Sequence, residues 1–382
     1  MRGHIQKRGT KYSFIVTLGY DNRTGRRKQK RVSGFKRKED AEKAMNRMIA
    51  EIEAGEYQEP DKTSFEDYLQ SWIHNKRNSI EAGTLKGYQN SINLHINEYL
   101  GHVTLSELRV DMFDTFYDHL YTEKNLSATS IKKIHHSICK ASLNAAVKKG
   151  KLKNNPAALA DLPSGKSPAI KVWDRDEVKH FLKVAEGTQY YIAFHLALAT
   201  GMRQGEILAL KWDQIDVRRK TLSIEGSLKR DMTIGSTKTT TGKRLVSIPQ
   251  ETIDALIRHD KKQKEDKLRA GSVYKDNNIV VATSLGTHLS PRNLVRTWFK
   301  LLDISKNPKI RFHDLRHTHA TQLLRLNFHP KVVQERLGHS SVQVTIDTYS
   351  HLLPGLQEAA AKEIGTELFS DDYAKTVTGL VT

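Results

Sequence analysis

The chain has 382 residues, one cysteine, and 62 Lys and Arg against 43 Asp and Glu, for a formal net charge of +19. That length accommodates two or three domains with cores of their own, and the charge favours a polyanionic partner, nucleic acid first and an anionic membrane surface second. No apolar run approaches the ~18 residues of a bilayer-spanning helix, the N-terminus is basic and polar with no leader pattern, and Cys139 cannot form an internal disulfide and sits on an apolar helical face as a buried thiol, so a cytoplasmic protein is expected.

Residues 1–60 read as a small basic module, with 15 Lys and Arg against 4 Asp and Glu in the first 50 positions. A short strand near His4–Arg8 comes first. Tyr12, Phe14, Val16, Leu18 and Tyr20 then alternate at period two, as in a strand with one apolar face. A turn at Asp21–Gly25 leads into a second, very basic strand from Arg26 to Val32. Ala41, Met45, Met48 and Ile52 recur at helical spacing. The expectation is a three-stranded sheet backed by one helix, with Arg26, Arg27, Lys28, Lys30 and Arg31 as DNA-contact candidates, because a basic β-ribbon can enter a major groove. A solvated basic face is the plain alternative.

After a linker at Glu59–Lys62, the second region, residues 61–165, reads as all helix from Ser64 to Leu162. Phe65, Tyr68, Leu69 and Trp72 mark one helix, and Leu85, Tyr88, Ile92 and Ile96 a second that ends near Gly101. Met112, Phe113, Phe116, Tyr117 and Leu120 mark a third. Ser127 opens a fourth, with Ile131, Ile134, Ile138, Leu143 and Val147 inward. Four helices in this length make a compact bundle. Lys132 and Lys133 are its candidate phosphate contacts, with a solvated surface as the equal alternative.

Residues 170–370 form the third region, mainly helical with a small β-sheet. Asp174 and Glu177 resemble a capping box. An apolar helix from Tyr191 to Ala199 is broken at Thr200-Gly-Met-Arg203, and the next helix is expected to run through Leu210 to Trp212. Leu222 and Ile224 lie on one strand, Leu245, Val246 and Ile248 on another, with the polar stretch Gly235–Lys243 between them. Helical patterns resume at Glu251 and continue to Phe369, and residues 371–382 are a mobile tail. The fold class is therefore α+β, mostly α.

The chemistry concentrates near the C-terminus, where His313, Arg316, His317, His339 and Tyr349 fall within 40 residues. Cations, imidazoles and one phenol, with few carboxylates, suit a phosphate attacked by a side-chain oxygen. Arg316 and His313, at i and i−3, reach one helix face, and a guanidinium fork matches phosphate oxygens. Taken alone, the pair would be a salt-bridging surface and the tyrosine a core residue. His313 and His317, at i and i+4, also have the spacing of a zinc pair, with His319, His339 or His351 as a third ligand. Asp314 would then replace the usual glutamate, and the arginines and the tyrosine would have no task.

Four separated motifs decide between these readings. Thr200-Gly-Met-Arg203-Gln-Gly-Glu206-Ile-Leu, His313-Asp-Leu-Arg316-His317, Leu337-Gly-His339 and Thr348-Tyr349 resemble, in order and spacing, the signature of the tyrosine recombinases, the phage-integrase family. The likeness covers Asp174 to Leu356. The N-terminal module and the bundle resemble the arm-binding and core-binding domains of integrases from temperate phages and integrative conjugative elements.

The resemblance implies a site-specific recombinase that cleaves and rejoins DNA through a 3′-phosphotyrosine, to integrate and excise a mobile element. By residue, Arg203 and Arg316 would hold the scissile phosphate, and Lys238, with Lys243 and Lys229 as rivals, would protonate the leaving 5′ oxygen. His313 would assist proton transfer at the tyrosine side, His339 would donate to a phosphate oxygen, and Tyr349 would attack. Glu206 would orient Arg203, and His317 would support Arg316. Neither metal nor any other cofactor is implied, because the cations neutralise the charge that a metal handles elsewhere. Implied partners are double-stranded DNA at core and arm attachment sites, a homotetramer on that DNA, and an excisionase or DNA-bending host protein, in the bacterial cytoplasm at the nucleoid. The segment Leu356–Phe369 would dock on a neighbouring catalytic domain. A resolvase or type IB topoisomerase would need no arm module. A catalytically silent DNA-binding regulator would need the basic surfaces but not the full catalytic set.

Overall fold

The computed structural model describes residues 3–20, 25–55, 57, 61–165, 169–236, 242–349, 358, 361–366 and 368. Most of the expected turn at 21–25, Lys238, His351, six of the fourteen residues of the segment 356–369 and the tail from 371 lie outside the described residues. Two compact units divide the chain at residues 167 and 168.

The first unit opens with strands β1 (Gly3–Arg8), β2 (Lys11–Tyr20) and β3 (Arg27–Phe35), antiparallel in the order β1-β2-β3. Helix α1 (Lys38–Glu53) covers one face. The alternation in β2 places Phe14 and Val16 toward Ala41 of α1, where they form a small core with Ile5, Val32, Met45 and Ile52 around them. Arg31 pairs with Ile15, the residue between the two buried ones, and so lies on the face turned away from α1.

A separate core follows, built on α2 (Phe65–Lys76), α3 (Ala82–Ser91), α4 (Asn97–Leu100), α5 (Val110–Thr122), α6 (Ala128–Ile134) and α7 (Lys140–Lys148). Single π-helical turns, Ile92–Ile96 and His135–Cys139, join α3 to α4 and α6 to α7. The six segments thus act as four rods, the four-helix bundle read from periodicity. Ser64 and Ser127 cap α2 and α6 by accepting the amides of Asp67 and Ser130. Cys139 is buried in this core.

In the second unit, α8 (Arg175–Ala185) starts at a full capping box between Asp174 and Glu177. Helices α9 (Tyr191–Thr200) and α10 (Gln204–Ala209) follow. Contrary to expectation, α10 stops at Ala209 and does not reach Trp212. Leu210 turns extended, its carbonyl accepts the Val280 amide at 2.9 Å, and Lys211 bridges to Ile279, so backbone pairing takes the place of another helical turn. The β region is also richer than expected. Strands β4 (Ile215–Asp216) and β5 (Thr221–Ile224) make a sheet, and β6 (Gly226–Leu228) and β7 (Ile234–Ser236) form a separate hairpin. Strand β8 (Arg244–Ser247) closes the first sheet by pairing Val246 with Leu222. Helices α11 (Gln250–Ala270), α12 (Pro291–Ser305), α13 (Asp314–Arg325), α14 (Pro330–Leu337) and α15 (Val342–Tyr349) follow. Trp173, Phe181, Phe194, Trp298 and Phe312 pack against one another in its main core with their rings tilted or edge-on. A smaller cluster of Ala320, Leu324, Val333, Leu337 and Tyr349 joins α13, α14 and α15. No helix among the described residues is long and apolar enough to cross a membrane.

Candidate active site

Helix α9 ends in a left-handed residue, Gly201, with φ 68°. A side chain there would be strained, and its Cβ would stand 2.5 Å from Leu337 Cδ2 and 2.8 Å from His319 Cδ2. Glycine therefore lets the α9–α10 corner sit directly against α13 and α14. The corner delivers Arg203 to the N-cap of α10. Gly205, one turn on, is as constrained, since its Cβ would collide with Ser227 Oγ and stand 2.8 Å from Leu228 O.

Glu206 is the anchor of this corner. Its carboxylate accepts Arg203 Nη1 at 2.8 Å and the Arg203 amide at 2.9 Å. The same carboxylate accepts Arg244 Nη2 at 2.9 Å and Nη1 at 3.3 Å. Burial pushes the Glu206 carboxyl up, but the hydrogen bonds and charge of Arg244, with Arg203 beside them, outweigh it and hold the group below its ordinary value. The Glu206 side chain is 2% exposed and that of Arg244 7%, whereas Arg203 is 41% exposed and open to a ligand. Arg203 also donates through Nη2 to Gly338 O at 3.2 Å.

Arg316 projects from the first turn of α13 and is buried. Its Nη1 donates to Gly201 O at 2.7 Å, while Nη2 has no hydrogen-bond partner among the described residues. A buried guanidinium nitrogen without a partner is costly unless an anion completes it. Burial, with Arg203 alongside, pulls this guanidinium below its ordinary value, and Glu206 opposes the shift.

Tyr349, the last described residue of α15, has no exposed surface. Its hydroxyl lies 2.9 Å from His317 Nδ1. Burial raises the phenol to about 12, although Arg316 and Arg203 pull it the other way. His339 follows the left-handed Gly338 that ends α14. Its ring lies nearly parallel to that of Tyr349, with centroids 6.3 Å apart, and its Nδ1 is 2.8 Å from Thr345 Oγ1. Burial and the charges of Arg316 and Arg203 lower it to about 3, so the imidazole is neutral at neutral pH. His313 is exposed at the N-cap of α13, with its ring edge-on to His317 at 5.2 Å.

Arg203, Arg316, His317, His339 and Tyr349 are thus drawn together from four chain segments, with His313 at the margin. Lys238 lies outside the described residues. Its rivals are described: Lys243 is exposed, and Lys229 lies against Gly235 of β7. Arg26, Arg27, Lys28 and Arg31 are exposed and Lys30 is half-buried, all at β3, while Lys132 and Lys133 are exposed on α6. Of the third ligands named for a zinc site, His319 uses both ring nitrogens, Nδ1 at Leu198 O (2.7 Å) and Nε2 to accept Arg336 Nε (3.0 Å), while His317 engages Tyr349 through Nδ1. Among the described residues no His, Cys, Asp and Glu cluster is placed to hold a metal ion.

Sequence reasoning missed Arg244 and Arg336. Arg244 shares the inward face of β8 with Val246, so a charge in register with buried apolar residues was its available signal. Arg336 donates to Ala199 O at 3.0 Å and Ser247 O at 2.9 Å, tying α14 to the end of α9 and to β8. Nothing in its local sequence distinguishes it.

Residues 171–355 match the phage integrase family, residues 4–52 an arm DNA-binding domain, and residues 64–162 a phage integrase SAM-like domain. The chain is similar to a tyrosine recombinase XerC-like protein of Caldanaerobacter subterraneus, with 30% identity over 94% of this chain and 96% of that one. It is also similar to the ICEBs1 integrase of Bacillus subtilis, with 27% identity over 92% and 96% of the two chains. Among solved structures, the Tn1549 transposon integrase in complex with transposon right end DNA has the same fold, with a TM-score of 0.68 at 19% identity over 79% of this chain and 98% of that one.

Proposed function

The chain belongs to the phage integrase family of tyrosine recombinases, enzymes that cut and rejoin DNA, and on that premise we propose that it integrates and excises a mobile element through a 3′-phosphotyrosine formed by Tyr349. The observation that carries this reading is the convergence of Arg203, Arg316, His339 and Tyr349, with one Arg316 nitrogen lacking a partner among the described residues. Arg203 and Arg316 grip the two non-bridging oxygens of the scissile phosphate and stabilise the added charge of the five-coordinate transition state. With Nδ1 of His339 taken up by Thr345, its Nε2 is the nitrogen left for a phosphate oxygen. His313, exposed at the mouth, assists proton movement, and Lys238 protonates the leaving 5′ oxygen. The ester conserves the energy of the broken bond, so strand exchange needs neither a nucleotide nor a metal. Two duplexes have four strands to exchange and need one nucleophile for each, which favours a tetramer on DNA. An excisionase or DNA-bending protein would set direction.

The test is the polarity of the linkage. Incubated in EDTA with a nicked duplex built on a core site selected by binding from a random pool, the full chain should become covalently attached to the strand labelled at its 5′ end. The released fragment should carry a 5′-hydroxyl that polynucleotide kinase phosphorylates directly. An adduct on the opposite fragment, or none from a protein that binds the site, would reject the reading, and the second result would favour a silent regulator.

The basic module calls for a separate measurement. Replacing Arg26, Arg27, Lys28, Lys30 and Arg31 with Gln should weaken arm-site binding and leave core-site binding unchanged. The slope of log affinity against log salt should fall by ~0.9 for each phosphate that is no longer neutralised. Equal slopes for both proteins would mean that this strand is a solvated face.

A further inference from the structure

We propose that His317 is a catalytic residue, the base that takes the proton of the Tyr349 hydroxyl as the phosphate is attacked. The proposal rests on the reading of Tyr349 as nucleophile and deepens it.

Among the described residues, the imidazole hydrogen-bonded to Tyr349 Oη is that of His317, at 2.9 Å. The two other imidazoles of the cluster are placed differently. His313 meets His317 edge-on, and His339 lies face to face with the phenol ring while its Nδ1 engages Thr345. Both members of the pair are held by packed helices: His317 in the second turn of α13, between the buried Arg316 and Thr318, and Tyr349 in the cluster with Leu324 and Leu337. A base must sit within hydrogen-bond reach of the proton it removes, and geometry is the first criterion.

The electrostatics agree. Burial lowers His317 from its ordinary value; Asp314 opposes the shift, and Arg316 and Arg311 add to it. His313 from the N-cap of α13, Tyr349 from α15, and His339 beyond α14 are the other titratable groups around the ring. Lowered in this way, the ring is uncharged at neutral pH, and the proposed step uses the tautomer with its lone pair on Nδ1, accepting from the phenol, and its proton on Nε2. In cleavage the phenol proton passes to Nδ1, an Oη electron pair forms the bond to phosphorus, and the bond from phosphorus to the 5′ oxygen breaks. That oxygen takes its proton from a separate acid. In rejoining, the 5′-hydroxyl gives its proton back to the conjugate base of that acid and attacks phosphorus, the bond from phosphorus to Tyr349 Oη breaks, and Nδ1 returns its proton to the leaving phenolate. Protonation of the free imidazole removes the acceptor, so cleavage should fall as pH falls through the lowered value.

The test is single-turnover cleavage of the nicked core-site duplex by the full chain and its variants. His317→Ala should bind the duplex like the parent and cleave it ~10²–10⁴-fold more slowly, the range for loss of a general base. His317→Asn, which can still accept a hydrogen bond but cannot hold a proton, should be as slow and should lose the acid limb of the pH profile. Two substitutions of the reacting atoms then locate the defect. A fluorinated tyrosine at position 349, being more acidic, should narrow the gap between parent and His317→Ala. A bridging sulfur at the 5′ position, which leaves without a proton, should not narrow it.

A rate for His317→Asn equal to that of the parent would make the contact merely structural and overturn the proposal. So would a defect erased by the sulfur substrate, or one indifferent to fluorination of the phenol. Failure of the underlying reading looks different: no adduct from the parent, or an adduct from Tyr349→Phe.

Discussion

Replacing Tyr349 with Phe is expected to leave core-site binding intact and to abolish the covalent adduct. The ring contributes to a buried cluster with Ala320, Leu324, Val333 and Leu337, and Phe fills the same space. Removing the hydrogen bond to His317 costs ~1 kcal/mol, too little to unfold the unit. The chemistry, however, is deprived of its nucleophilic oxygen, and no rearrangement of the arginines can supply another. The measurement is a denaturing gel of labelled nicked duplex after incubation with each protein. A residual adduct from the Phe variant would assign the attack to another residue.

The second large effect belongs to Glu206, which never touches DNA in the proposed mechanism. Glu206→Ala should destabilise the protein by ~3–5 kcal/mol, the cost of breaking a buried ion pair and leaving one charge behind. The charge left behind is Arg244, whose side chain is 7% exposed and donates twice to that carboxylate. Arg203 would at the same time be released from the carboxylate and from the orientation it imposes, so cleavage should fall further than the stability change explains. Urea unfolding of the parent and the variant at pH 7 measures the first effect, and cleavage at saturating duplex the second. The sign of the pH dependence follows from the depressed carboxyl. The folded form holds this proton less tightly than the unfolded chain, so the stabilisation is present above the ordinary carboxylate value. It disappears as pH falls through the lower folded value. The difference between parent and variant should therefore shrink in acid.

Much of this arrangement was legible because it is periodic or local. Alternation in residues 12–20 identified the strand that buries Phe14 and Val16, and the Asp174–Glu177 spacing identified a helix start. The motif residues, by contrast, came from the resemblance of four separated motifs to one family rather than from any periodicity, and of them Lys238 lies outside the described residues. What the sequence hid was tertiary. Arg244 looks like one more cation in a basic stretch until β8 pairs with β5 and turns it inward. The end of α10 depends on a backbone partner about 70 residues away, Ile279, which no local pattern announces. The π-helical turns at Ile92 and His135 leave the apolar spacing of their rods almost unchanged, so periodicity passes over them. His317 reads as a mere support to Arg316 for the same reason, since its phenol partner arrives only when α15 folds onto α13.

The seclusion of Tyr349 also bears on how the protein coexists with a genome. A reactive phenol open to solvent would meet every phosphate that the basic surfaces happened to touch, and chance encounters would leave nicks. Here the hydroxyl has no exposed surface and is already occupied by an imidazole. In the proposed mechanism, therefore, the hydroxyl has to be uncovered before a duplex can be attacked, with its contact to His317 kept. On that mechanism, sequences that hold the protein only by charge and do not uncover the hydroxyl should leave uncut. Restraint toward the rest of the chromosome is in this sense built into the resting enzyme, ahead of any reading of bases.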